Sequence, residues 1–169
     1  MDRDQILAAL TALAQRLHER GIQGEMYLVG GAAIALAYDP RRATRDIDAV
    51  FEPKLAIYEV AADMAEELGL PVGWLNDAVK GFLGGEDPSA APVLELPGLR
   101  CLVASPPMLL ALKVLAHRSG EDEDDLRLLA SELGLVAATE VLAVAEQVFG
   151  DRLDAGARFF VEQVFAAGG

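Results

Sequence analysis

Tyr27-Leu28-Val29-Gly30-Gly31-Ala32-Ala33, followed after a short interval by Arg41-Arg42-Ala43-Thr44-Arg45-Asp46-Ile47-Asp48-Ala49-Val50-Phe51, is the stretch on which the fold turns. The apolar residues 26–29 predict a short buried strand. Gly30-Gly31 breaks it, and residues 32–37 have helix-forming composition. A strand, two glycines and a helix start bring unpaired backbone N–H groups and a positive dipole end to one place, which suits a phosphate. A second strand is expected over 46–51. Side chains alternate along a strand, so Asp46 and Asp48 share one face while Ile47 and Ala49 take the other. Two carboxylates held side by side repel, and the usual reason to keep them together is a hard divalent cation with oxygen ligands.

Working outward, residues 4–20 carry Ile6, Leu7, Leu10, Leu13 and Leu17 at helical spacing, closed by Gly21. His18 on this helix reads as a surface or packing residue. After the Asp39-Pro40 turn and the second strand, residues 54–68 form an amphipathic helix ended by Gly69. Residues 71–82 make a short segment capped by Asn76 or Asp77, with Trp74 and Phe82 as core anchors. Residues 84–92 have no periodicity and read as a lid beside the site or as a long surface loop. Strands at 92–96 and 99–103 are joined by the turn pair Pro97-Gly98. From Ser105 onward the pattern is helical: 108–117 behind Ser105-Pro106-Pro107, then 121–133, 139–149 and 153–167.

The fold expected from this order is α+β. An α/β core with a mixed sheet spans 1–104, and a helical lobe packed on it as one compact unit spans 105–169. The chain is long enough to bury a core. Its one cysteine, Cys101, cannot form an internal disulfide and reads as a buried strand residue, which fits a reducing, cytoplasmic setting. No apolar run reaches bilayer length and no secretory signal is visible, so no membrane partner is expected. The net charge of −13 argues against tight non-specific nucleic-acid binding, which rests on phosphate neutralisation. A local basic cluster, Arg41, Arg42 and Arg45 beside the proposed site with Lys80, Lys113 and Arg118 joining them, could still recruit an RNA end.

The ordered pair of a Gly-Gly turn and an Asp-x-Asp strand resembles the nucleotidyltransferase superfamily of the polymerase-beta type. The longer string Gly30-Gly31-Ala32-Ala33 with Arg42-Ala43-Thr44-Arg45-Asp46-Ile47-Asp48-Ala49-Val50 looks most like the AbiEii-type branch, whose members include toxins of toxin–antitoxin pairs. About fourteen residues separate Gly31 from Asp46, slightly long for the superfamily, and Gly31 replaces a common serine. The resemblance implies Mg²⁺ held by Asp46 and Asp48, and an NTP cradled by Gly30 and Gly31 with Arg45 and Lys80 nearby. The superfamily often takes a third carboxylate from a strand beside the Asp-x-Asp strand; Glu95 is the candidate, with an edge-strand glutamate as the plain alternative. Leu112-Lys113-Val114-Leu115-Ala116-His117-Arg118 and Asp124-Asp125 resemble a second signature of the same branch. There Lys113 and Arg118 would face the triphosphate and Asp125 would orient Lys113 or the nucleophile. Structurally, the aspartates suffice as a helix start, and His117 reads as structural.

Three functions follow as expectations. The first is NMP transfer from an NTP to an RNA acceptor such as a tRNA end, with an antitoxin as protein partner. The second is transfer to a small molecule or a protein side chain, and the third is a nucleotide- or partner-binding module without turnover.

Overall fold

A computed structural model describes residues 1–81, 83 and 86–166. Phe82, expected as a core anchor, the glycines that open the 84–92 run, and the last residue of the expected final helix lie outside them. The described chain divides into two compact units. One comprises Met1–Leu83 and Ser89–Ala104, the other Gly84–Pro88 and Ser105–Gly169.

The first unit is built on a mixed sheet. Helix α1 (Arg3–Glu19) starts at Asp2, whose carboxylate accepts from Gln5 N while the Gln5 side chain accepts from Asp2 N. Ile6, Leu10, Leu13 and Leu17 form its buried stripe. Strand β1 (Gly24–Leu28) leads into helix α2 (Gly30–Ala37), and strand β2 (Ile47–Glu52) leads into helix α3 (Lys54–Leu68), which stops at left-handed Gly69. A two-residue strand β3 (Leu75–Asn76) and a 3-10 turn (Ala78–Gly81) come next, then β4 (Ala91–Leu96) and β5 (Leu99–Val103). The sheet order is β3-β2-β1-β5-β4. β1 is antiparallel to β2 and parallel to β5, β2 is parallel to β3, and β4 is antiparallel to β5. The α+β class and mixed sheet match the reading of the sequence.

The second unit is helical: α4 (Pro106–Ala116), α5 (Glu123–Glu132), α6 (Ala138–Phe149) and α7 (Ala155–Ala166). Ser105 caps α4 by accepting from Met108 N, behind prolines that need no donor there. Leu109, Leu110, Val114, Leu126, Leu129, Val141 and Val161 make its core.

Two departures from expectation concern the site, while Cys101 is found as read. Asp46 sits in a bend just before β2, not in the strand. Residues 75 and 76, read only as part of a capped segment, add a strand outside β2. Cys101 is buried in β5, and burial, with Glu25 adding to it, pushes its thiol up to about 12, so it is no nucleophile.

One glycine locks the hairpin to α1. Gly98 has φ 91°, and a Cβ there would stand 2.2 Å from the Ala14 carbonyl oxygen and 2.6 Å from His18 N. Both atoms are helix backbone and cannot yield, and positive φ adds strain for any L side chain. Gly98→Ala is expected to destabilise the fold by about 3 kcal/mol or more, the sum of an overpacking and a backbone-strain cost. Equilibrium denaturation checks this, and the same change at Gly21, where nothing stands within 4 Å, serves as the control for φ alone.

Candidate functional site

The end of β1 and the start of α2 press directly on the aspartate strand. Val29 N donates to Asp48 O at 2.9 Å, continuing the β1–β2 pairing past Leu28. The chain then turns through Gly30 at φ 63° and enters α2, whose first hydrogen bond runs from Ala33 N to Val29 O at 3.4 Å. A Cβ on Gly30 would lie 2.9 Å from Asp48 Oδ2. Glycine is therefore required twice over, by its positive φ and by the approach of a carboxylate. The positive end of α2, with first-turn N–H groups that have no intrahelical acceptor, lies against Asp48.

Gly31 has a different reason. A Cβ there would meet Thr44 Oγ1 at 2.8 Å and Thr44 Cβ at 3.0 Å. The space left by Gly31 is filled by the Thr44 hydroxyl, which donates to Asp46 O at 3.0 Å. A hydroxyl thus stands at this helix start, supplied by Thr44. Thr44 is itself anchored through its N–H to Met1 O at 2.9 Å.

Asn76 completes the arrangement. It is the register partner of Asp48, so the two side chains lie on one face of the sheet. Its Nδ2 donates to Asp46 Oδ2 at 3.0 Å, which brings Asp46 to the same face. Asp77 faces elsewhere: Lys54 lies at 2.5 Å and the Tyr58 hydroxyl donates to it at 2.6 Å. The hydrogen bond from Lys54, then that from Tyr58, hold the Asp77 carboxyl below the usual carboxylate range.

The remaining predicted residues are placed as follows. Arg45 is exposed, precedes Asp46 directly and makes no ion pair among the described residues. Arg41 lies 3.2 Å from Asp39. Lys80 lies 3.7 Å from Glu52, at the opposite end of β2 from Asp46, so its charge is directed away from the aspartates. Glu95 requires a correction. It lies on β4, the opposite edge of the sheet, with β1 and β5 between it and β2. At roughly 5 Å per strand it stands some 14 Å away, beyond reach of a shared cation. It pairs instead with Arg100 at 3.0 Å. Among the described residues no group of three His, Cys, Asp or Glu side chains is disposed to hold a metal.

In the second unit, Lys113 is 6% exposed and its Nζ lies 2.6 Å from Asp122 and 2.8 Å from Asp125. Arg118 adds hydrogen bonds to Asp122 from its backbone N, Nε and Nη2. The negative partner expected for Lys113 and Arg118 is thus this chain's own pair of buried aspartates, and two cations balance two carboxylates. To meet Lys113 here, a phosphate would have to displace a carboxylate that is 0% exposed. Asp124, whose side chain is fully exposed, pairs with Arg127. Asp122 was not singled out in the sequence, because nothing in an acidic run marks which members are buried.

Residues 5–83, just under half of the chain, match the model of a family described as a nucleotidyltransferase of unknown function (DUF6036). The match contains Gly30, Gly31, Thr44, Asp46, Asp48 and Asn76 and supports a nucleotidyltransferase, without reaching the AbiEii-type branch. No curated protein matches the chain.

Two outcomes follow from these contacts. Gly31→Ala should cost about 1–3 kcal/mol by overpacking against Thr44, and most of that cost should vanish in a Thr44→Ala background. Additive costs in a denaturation cycle would mean that the glycine answers to something other than Thr44. The second concerns acid. Burial pushes the Asp122 carboxyl up, but hydrogen bonds from Arg118 and Lys113 outweigh it, and the net direction is down. A carboxyl that titrates lower when folded contributes stability that is present above the ordinary aspartate range, about pH 4, and is lost as the pH falls through the folded value. Asp122→Ala should therefore lower stability at pH 7 by about 3 kcal/mol, the scale of a broken buried pair. It should also flatten the decline of stability with acid, read from denaturant midpoints between pH 7 and pH 3.

Proposed function

We propose that the chain is a Mg²⁺-dependent nucleotidyltransferase that transfers an NMP from an NTP to an acceptor hydroxyl. The observation that carries the reading is the close approach of the α2 start to Asp48 through Gly30, within the residues that match the nucleotidyltransferase family. A helix start with free first-turn N–H groups and a carboxylate pair lie at one corner of the sheet, which supports this reading.

The donor set fits a hard cation: Asp46 and Asp48 supply carboxylate oxygens, and Mg²⁺ ordinarily takes one or two carboxylates while phosphate oxygens and water fill the remaining positions. When bound, the ion supplies charge neutralisation at the reacting phosphate. The chain does the rest by placement. The first-turn N–H groups of α2 receive phosphate oxygens, with Gly30 leaving room for their approach. Arg45, exposed beside Asp46, adds a charge for the phosphate tail. The acceptor oxygen forms a bond to the α-phosphorus as the bond to the pyrophosphate oxygen breaks; pyrophosphate leaves and the hydroxyl proton passes to solvent. Catalysis of this kind is chiefly orientation and preorganised charge.

The resemblance of residues 30–50 to AbiEii-type toxins supports an RNA acceptor such as a tRNA end, with an antitoxin as partner. A second reading, transfer to a small molecule or protein hydroxyl, is favoured by the charge pattern. Arg41, Lys80 and Arg118 are each committed to a carboxylate, and Arg45 makes no ion pair among the described residues of a chain of net charge −13. Among the described residues no helix is long and apolar enough to cross a membrane.

Incubation with each labelled NTP, Mg²⁺ and either bulk RNA or an RNA-free lysate fraction is expected to consume one NTP and label one acceptor class. Asp46→Asn and Asp48→Asn should each abolish labelling while leaving the thermal midpoint within a few degrees, because each removes a like charge from a pair. Mg²⁺ with NTP should raise the midpoint of the wild type by mass action and leave the double variant unmoved. Equal protection of the double variant, or nucleotide binding with no label on any acceptor, would overturn the enzymatic reading.

A further inference from the structure

Asn76 is tied at both ends of its amide. Nδ2 donates to Asp46 Oδ2 at 3.0 Å, and Oδ1 accepts from Ala78 N at 3.3 Å. The reverse orientation would set an oxygen against a carboxylate and a nitrogen against an N–H, so the chemistry of both partners fixes the amide. Among the described residues Asn76 is the one side chain bonded to the Asp46 carboxylate. The Asp46 backbone is held separately, by Thr44. Asn76 stands directly beside Asp48 in register on the neighbouring strand, and its side chain bonds Asp46. Asp77 brings no further negative charge there, because Lys54 and Tyr58 hold its carboxylate.

We infer that Asn76 is a positioning residue that makes the Asp46–Asp48 pair a receptor for a nucleotide-bound divalent cation in preference to the free ion. This rests on the nucleotidyltransferase reading above and deepens it. A neutral amide at this place fixes the plane of the Asp46 carboxylate while keeping the formal charge of the trio at minus two. An acid of the same size would add a third anionic ligand and raise affinity for the bare ion, at the cost of crowding three like charges when no ion is bound. With two carboxylates the protein supplies a minority of the six oxygens that Mg²⁺ demands, and the ion dehydrates reluctantly. The phosphates of an NTP supply the missing oxygens and charge. Metal and nucleotide therefore bind with strong mutual dependence, and each raises the affinity for the other by the same factor.

Mn²⁺, whose free concentration is counted by its paramagnetic resonance, tests this on the full chain with and without an α,β-methylene NTP. After subtraction of the Mn²⁺ that the analogue binds on its own, wild type should bind Mn²⁺ at least tenfold more tightly with the analogue than without it. Asn76→Asp should raise affinity for Mn²⁺ alone at least tenfold and shrink that ratio. Asn76→Ala should leave Mn²⁺ alone as weakly bound as in wild type, and lower kcat for NMP transfer more than it raises KM, as expected for a carboxylate that is present but unfixed. Wild-type Mn²⁺ affinity that is equal with and without analogue overturns the inference without need of any variant. So does an Asn76→Asp protein, folded by circular dichroism, whose affinity for Mn²⁺ alone is unchanged. The two readings fail separately: if Asp46→Asn and Asp48→Asn still take up Mn²⁺ with the analogue, the nucleotidyltransferase site itself is wrong, whatever Asn76 does.

Discussion

The contact between the Gly30 backbone and the Asp48 carboxylate is the constraint to which the rest of the first unit conforms. A helix start is brought within 2.9 Å of a charged oxygen, measured to where a Cβ would stand, and held there by strand pairing on both sides. Val29 N to Asp48 O extends the β1–β2 ladder to the point where α2 begins. The carboxylate and the helix end therefore cannot separate without breaking the sheet, whose inward residues Ile47, Ala49 and Phe51 are almost wholly buried. Rigid elements, not a loop, set the distance between the two charges. That is the kind of preorganisation on which phosphoryl-group chemistry depends.

The same constraint explains what was legible in the sequence. Positive φ and a crowded Cβ leave glycine as the only residue that fits, so Gly30 was visible as a break in an apolar run. Alternation made Asp48 and its buried neighbours readable, and Gly69 fixed the end of α3. Strand β3 left no periodic signal because it is two residues long. It exists because Trp74 is buried with its Nε1 donating to Ala61 O, and because Ile47 N reaches Trp74 O. Those are tertiary facts, and Asn76 became visible only through them. Glu95 failed for a related reason. A Pro-Gly turn states that two strands pair with each other, and nothing in it states which strand of the sheet they join. Thr44 sat in plain view in the motif, but that its hydroxyl fills the space of a residue thirteen positions earlier is a matter of packing.

Lys113 shows the limit from the opposite direction. A lysine on an apolar helix face demands a negative partner, and the sequence offered five acidic residues in a row without ranking them. Burial ranks them: Asp122 and Asp125 are inside and Asp124 is fully out. A lysine shared by two buried carboxylates, with Arg118 closing the balance, ties the end of α4 to the start of α5. Such a group is costly to break because each charge would be left in a poor dielectric. It therefore specifies one geometry for the turn between the helices. The features that drew attention to Lys113 as a phosphate ligand are equally those of a buried ion group, and only its partners decide between the two.

Charge disposition then separates two parts of the chain that look alike in composition. Around the buried lysine, cations and anions cancel internally, and on the surface most arginines and lysines sit against a carboxylate. Beside Asp46, Arg45 makes no ion pair among the described residues, and the side chain bonded to the Asp46 carboxylate is a neutral amide. Two neighbouring carboxylates cost energy in the resting protein, through mutual repulsion at short range. That cost is tolerable where the partial positive end of α2 lies against one member and an amide N–H is given to the other. A cation arriving with its own phosphates would add charge of both signs at once, which is what the proposed nucleotidyl transfer asks of the corner of the sheet holding Gly30, Asp48 and Asn76.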